Sequence, residues 1–338
     1  MSKYLSLIAI AIFALFISAC ETDFNPNAEY KDITVVYGLL NQKDTFTYLK
    51  INKAFLGNES AYIMAQNEDF SSYGTDLNVI MEEILNGKVE KTYYFDTTTI
   101  YNKEPGIFYA PKQVLYKCKT YNPEFPIHDS LKEDREYKLT IRNTKTSKII
   151  SAQTMLVNSF DITNPNGATT IDFPSTSIGK KKIEWMSAKG GKRYSITLRI
   201  NYFESKNGIV DEPKYIEIPL STQTRTTYEG GSEMILEFPG LTFYETLKNS
   251  LSWSTISNPI SRKMGKIDFV VSVAGDDLST YIEVNEASNS IVQVRPEYSN
   301  INNGIGVFSA RFSRYTNKMD LTAKSLDFLH NQYPMLGF

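Results

Sequence analysis

The sequence predicts a mainly β protein, and three observations carry that expectation. Tyr (22) and Phe (19) join Ile, Val and Thr in short segments, the residue types that suit a pleated, half-buried surface. Clusters of turn residues separate these segments. Inside them, apolar and polar residues alternate with a period of two, the spacing that buries one sheet face and wets the other. The architecture expected is an N-terminal immunoglobulin-like or transthyretin-like sandwich, followed by a second β-rich domain with a few short helices.

The first strand is expected over residues 32–40, an apolar run ending near Asn41-Gln42-Lys43-Asp44. Residues 45–55 follow, with Thr47, Leu49, Ile51 and Phe55 on one face and Tyr48, Lys50 and Asn52 on the other. Runs 76–85 and 88–96 flank Asn86-Gly87, a strong hairpin signal because both turn residues must take positive φ. Residues 108–119, 136–142 and 148–157 complete about seven strands. In 136–142, Tyr137, Leu139 and Ile141 alternate with Lys138, Thr140 and Arg142.

Residues 158–177 are rich in Asn, Thr, Pro and Gly, which predicts a domain boundary there. The expected sandwich domain is therefore 31–157 and the second domain 158–338. The second half opens with a strand at 182–186. Residues 193–203 alternate most clearly, with Tyr194, Ile196, Leu198, Ile200 and Tyr202 on one face. Further strands are expected at 215–220, 224–228, 232–238, 266–274 and 305–314. Three helices are expected. Residues 242–251 carry Phe243, Leu247 and Leu251 at helical spacing, 276–287 opens with a capping Asp, and 321–330 aligns Leu321, Leu326 and Leu329.

Composition narrows the function classes. With 41% hydrophobic and 22% charged residues, the chain is globular rather than disordered. A net charge of -2 argues against nucleic-acid binding, which leaves a basic footprint. Two Cys make no disulfide scaffold and two His no histidine-rich metal site.

The N-terminus carries an address. Lys3 precedes an uncharged apolar run over residues 5–19, shorter than the roughly 20 residues of a membrane span and suited to a secretory signal. It ends in Ile17-Ser18-Ala19-Cys20, which resembles a bacterial lipobox. The expectation is a signal peptide over 1–19, lipidation of the Cys20 thiol and amine, and a polar spacer to residue 30. Two or three acyl chains hold a protein on a bilayer durably, since each buried methylene contributes about 0.8 kcal/mol. The acids Glu21 and Asp23 leave both surface display and a periplasm-facing anchor open.

Catalytic signatures are missing: the sequence has no His-Glu-x-x-His motif, no Gly-x-Ser-x-Gly elbow and no P-loop. Gly304-Ile305-Gly306 is read as a turn feeding a closely packed strand, not as a nucleotide loop. Glu82 and Glu83 fall on opposite strand faces. Asp276-Asp277 starts a helix, and His330 closes one. His128 is read as a loop residue. Cys118 shares a face with Val114 and Tyr116 and is read as an inert core cysteine. Aromatic groups at Tyr93-Tyr94-Phe95, residues 101–109, Tyr48 and Tyr62 are weighed as a glycan platform against ordinary core filling. Trp185 and Trp253 are the two tryptophans. No catalytic residue, cofactor or metal ligand is assigned.

Two stretches carry a family resemblance. Asp32-Ile33-Thr34-Val35-Val36-Tyr37-Gly38-Leu39-Leu40 resembles the opening strand of an uncharacterised outer-membrane lipoprotein family of Bacteroidota. Ser299-Asn300-Ile301-Asn302-Asn303-Gly304-Ile305-Gly306-Val307-Phe308 resembles its C-terminal motif. That family, a domain of unknown function, is often associated with TonB-dependent receptors. The resemblance implies an outer-membrane lipoprotein that assists nutrient uptake, and it carries over no catalytic residue. The expected function is a non-catalytic binding or interaction module. The alternatives are a structural or adhesive envelope protein without a small ligand and, third, a hydrolase.

Overall fold

The computed structural model describes residues 33–54, 61–122, 124, 130–206, 208–210, 213–287 and 297–338. The signal peptide, Cys20, the spacer, Phe55 and His128 lie outside the described residues. The molecule is mainly β, with 48% of the described residues in strands against 15% in helices.

The first half contains β1 (Thr34–Leu40), β2 (Phe46–Lys53), β3 (Leu77–Leu85), β4 (Lys88–Ile100), β5 (Gln113–Lys119), β6 (Glu136–Asn143) and β7 (Ile149–Met155). Their spatial order is β1-β2-β5-β4-β3-β6-β7. β4 makes the sandwich from these strands. Residues up to Phe95 pair with β3, and Asp96–Ile100 pair with β5, so one strand turns the corner between two sheets. In β2, Thr47, Leu49 and Ile51 are buried while Phe46, Tyr48 and Lys50 face out, as the alternation requires. Asn86 and Gly87 both take positive φ, 50° and 78°, and close the β3–β4 hairpin.

Two short helices interrupt the path from β2 to β3: α1 (Ala61–Ala65) and α2 (Glu68–Ser71). The sequence reading missed both. Asn67 caps α2 by accepting from the Asp69 amide at 3.0 Å, and Glu68 and Asp69 suit the positive end of the helix.

The second half adds β8 (Ile162–Asn164), β9 (Thr170–Ile171), β10 (Lys180–Met186), β11 (Arg193–Lys206), β12 (Ile209–Val210), β13 (Lys214–Thr224), β14 (Glu233–Pro239), β15 (Ile260–Ala274), β16 (Gly304–Tyr315) and β17 (Asp320–Leu321). It also adds α3 (Leu241–Ser250), α4 (Asp276–Ala287) and α5 (Ala323–Gln332). β11 pairs with β12, β13 and β15. The small sheet β14-β10-β8 supplies Trp185 and Phe238, whose rings meet Tyr194 of β11 and Phe269 of β15 at 6.3 and 6.1 Å. Phe173 and Phe243 stack at 4.2 Å near the buried face of α3.

Two expectations change in detail. The strands expected at 215–220 and 224–228 are one strand ending at Thr224. Its ladder slips between Pro219 and Ser221, because Pro219 has no N–H to donate. The helix expected from Leu321 starts at Ala323, since the Thr322 side chain caps it by accepting from the Ser325 amide. Within residues 158–177, Phe160, Ile162, Ile171 and Phe173 enter the core.

The two halves share β16. Gly304–Ala310 run parallel to β1, and Arg311–Tyr315 pair antiparallel with β15. A large sheet therefore runs from β12 to β7, with β16 between β15 and β1. One buried cluster spans both halves, from Val36 through Trp185 to Leu336.

Candidate functional site

Strand alternation builds the floor of a cleft on the outer face of β1 and β2. Val36, Leu49 and Ile51 point into the core. Their neighbours Val35, Tyr37, Lys50 and Asn52 therefore share the opposite face. Val35 pairs with Asn52 and Tyr37 with Lys50 directly across the two strands. Two segments rise around this floor: residues 61–76, which carry α1 and α2, and residues 101–112, which join β4 to β5. The space between them is about 510 Å³, within the range of small-ligand clefts.

Hydrogen bonds fix both walls. Asn52 Nδ2 donates to the Ser71 carbonyl at 3.0 Å, and Lys53 Nζ donates to the Asp69 carbonyl at 2.9 Å. The Tyr109 amide donates to the Ala65 carbonyl at 2.8 Å, tying one wall to the other. Lys112 and Glu68 form a 2.9 Å ion pair between the same walls. Lys103 Nζ donates to the Tyr109 carbonyl at 2.6 Å and sits 5.6 Å from the Phe108 ring centre.

The cleft is apolar with a cationic rim. Val35, Val114 and the half-exposed Phe108 ring supply apolar surface. Lys50, Lys53, Lys103 and Lys112 supply four ammonium groups, against the single carboxylate of Glu68 among the described lining residues. Desolvation, and then repulsion from Lys50, lowers the pKa of Lys103. The hydrogen bond that Lys112 donates to Glu68 raises its pKa. Tyr37 lies on the floor and is pushed up to about 12, chiefly by burial, with the Tyr281 hydroxyl of α4 3.4 Å away.

Among the described residues, no group of three or more His, Cys, Asp or Glu is placed to hold a metal. A second concavity, beside Lys192, Arg193 and Arg225, is largely neutralised: Lys192 pairs with Asp276 at 2.9 Å and Arg193 with Glu286 at 2.8 Å.

The residues singled out from sequence are dispersed. Tyr93 and Phe95 are buried while Tyr94 between them is exposed, so these three rings form no common platform. Tyr109 reaches the cleft; Tyr48 and Tyr62 are exposed but do not line it. Trp185 is buried and Trp253 half-exposed. Glu82 and Glu83 do face opposite ways, and the buried Glu83 accepts from the Tyr93 hydroxyl at 2.9 Å. Asp276 and Asp277 occupy the first turn of α4, and His330 the last turn of α5. Cys118 is half-buried, and desolvation raises its thiol pKa. The sequence reading missed the cleft lysines and Glu68. Strand alternation puts Lys50 on the face opposite Leu49 and Ile51, but nothing in the spacing of Lys103 and Lys112 announces that they line the same cleft.

No family model matches the chain, and no curated protein matches it. Among solved structures it is similar to the C-terminal globular domain of an oligosaccharyltransferase from Pyrococcus abyssi, at 11% identity and a TM-score of 0.23. That match covers 70% of this chain and 47% of the other, so the likeness spans about half of that structure and bears on no function.

Proposed function

We propose that the chain is a lipid-anchored outer-membrane lipoprotein whose β-rich body is a non-catalytic binding module, accessory to a TonB-dependent nutrient receptor. The cleft over β1 and β2 is its ligand site. One observation carries the binding reading: two segments are tied to each other across the face of a sheet and enclose about 510 Å³ of mixed apolar and cationic surface. Ordinary loop packing would fill such a space with the protein's own side chains.

The anchor rests on Lys3, the apolar run after it and Ile17-Ser18-Ala19-Cys20. No described helix is long and apolar enough to cross a membrane, so in this reading acyl chains on Cys20 supply the attachment. The test pairs palmitate labelling of the full chain with a mild-detergent pull-down from native membranes. The expected result is a label that disappears in Cys20→Ser and a receptor that co-purifies with the wild type. Label kept in Cys20→Ser overturns the anchor. A wild-type pull-down without any outer-membrane receptor overturns the accessory role.

A further inference from the structure

Given that the cleft is a binding site, we infer that it takes a small amphiphilic anion: an organic molecule with one carboxylate, sulfonate or phosphate group on an apolar body. The charge inventory selects the anion. Lys112 is matched by Glu68. Lys53 and Lys103 each donate to a neutral carbonyl, of Asp69 and Tyr109, which leaves their charges uncancelled. Lys50 has no hydrogen-bond or ion-pair partner among the described residues and stands on the floor beside Tyr37.

Three uncancelled ammonium groups thus surround one concave space with low-dielectric walls, where an anion is attracted more strongly than in open water. The same walls penalise a cation. A neutral ligand would leave the repulsion between Lys50 and Lys103 in place, and an anion between them relieves it.

The apolar surface selects the body. Val35 and Val114 lie in the cleft, and the Phe108 ring is 53% exposed beside Lys103. An inorganic ion would leave that surface wet, whereas a ring or short chain attached to the anion covers it at roughly 25 cal/mol per Å² buried. The anionic group sits between Lys50 and Lys103, and the body lies towards Phe108.

The full-length protein in phosphatidylcholine nanodiscs tests this by equilibrium dialysis, with empty discs as blanks. The probes are 2-naphthalenesulfonate, its uncharged analogue 2-naphthalenesulfonamide, inorganic sulfate and laurate. The sulfonate is expected to bind one to one, about tenfold or more tighter than the sulfonamide. Lys50→Gln should weaken the sulfonate severalfold, leaving the sulfonamide and the melting temperature unchanged; Lys103→Gln, which also loses a wall contact, should weaken the sulfonate severalfold more than the sulfonamide. Phe108→Ser should weaken both probes, and sulfate should compete poorly. Laurate binding with the same lysine dependence also supports the inference and points to a lipid-derived ligand; sulfonate binding without laurate points to a soluble aromatic acid. Equal binding of sulfonate and sulfonamide, indifferent to both lysines, overturns the anion while the binding role stands. No binding of any probe by folded protein overturns the inference and the cleft's role together.

Discussion

Glu204 of β11 and Arg262 of β15 lie opposite each other in register and meet at 2.7 Å with both side chains almost wholly out of water. Arg262 also donates to the Ser252 and Leu336 carbonyls, and Glu204 accepts from Lys214 at 2.8 Å. The pair therefore has partners on both sides and ties the C-terminal tail to the sheet. Removing one member of such a pair strands a buried charge, typically at about 3–5 kcal/mol.

That geometry sets an acid limit. Burial by itself would raise the Glu204 carboxyl, but hydrogen bonds from Lys214 and Arg262 outweigh it and bring the pKa to about 2. The folded value is depressed, so the stability is present above the unfolded carboxylate pKa of about 4.3 and is lost as pH falls towards about 2. Urea unfolding of the full chain across this window should show stability falling with acidity. Glu204→Gln should be less stable at neutral pH and show a flatter acid slope. Equal slopes in wild type and variant would count against this role.

Asp268, in the middle of β15, has the opposite sign. It is 5% exposed, and its Oδ1 has no hydrogen-bond partner. Desolvation raises its pKa, with Lys318 and Arg199 only partly countering it. Holding the charged form in the folded state costs stability at neutral pH, and that cost disappears as the group protonates in acid. Asp268→Asn keeps the shape and removes the charge. It should stabilise the protein by about 1 kcal/mol at neutral pH and by nothing in strong acid. A variant that melts below wild type at neutral pH would sink the argument.

These two carboxylates also show what could be read without coordinates. Burial of alternate residues in β11 was legible, because Tyr194 to Tyr202 repeat with period two. The Asn86-Gly87 turn was legible for an equally local reason, and so was α4 from Asp276. Glu204 sits on the same strand as Tyr194, yet its partner Arg262 lies across a ladder that no local pattern announces. The cleft was hidden in the same way. Lys50, Glu68, Lys103 and Lys112 come from one strand, a short helix and a loop, and only tertiary structure brings them together. β8, β9 and β17 are two or three residues long, so their partners define them rather than their own propensity.

Cys118 should be a slow thiol. It lies on β5 beside Tyr116, half-buried, and desolvation lifts its pKa above the ordinary thiol value. The thiolate is the reactive form, so less of it is present at any pH near neutrality. Alkylation of the native full chain at pH 8, followed by peptide mass spectrometry, should modify Cys118 about tenfold or more slowly than in urea. Equal rates in the two conditions would show an open, ordinary cysteine.

The strand shared by the two halves depends on a residue without a side chain. Gly306 has φ +118°, a region that L side chains rarely adopt, and a Cβ there would stand 2.0 Å from the Val36 carbonyl oxygen. Val36 and Gly306 are register partners in the parallel ladder of β1 and β16, so a side chain would push the two strands apart. The turn into β16 is made by Asn303, at φ 59°, while Gly304 is not among the positive-φ residues and instead allows close approach to the Thr34 carbonyl. Phe308, two residues beyond Gly306, is fully buried, and its truncation should cost about 3–5 kcal/mol. Gly306→Ala should cost a similar amount through strain and lost pairing. Because β16 pairs with β1 and β15, both substitutions should lower the melting of both halves together, read by hydrogen exchange at Leu49 and Ile196. Asn303→Gly tolerates the same turn and should melt close to wild type. Gly306→Ala that melts like wild type, or that loosens only one half, would show that the ladder between β1 and β16 does not hold the molecule together.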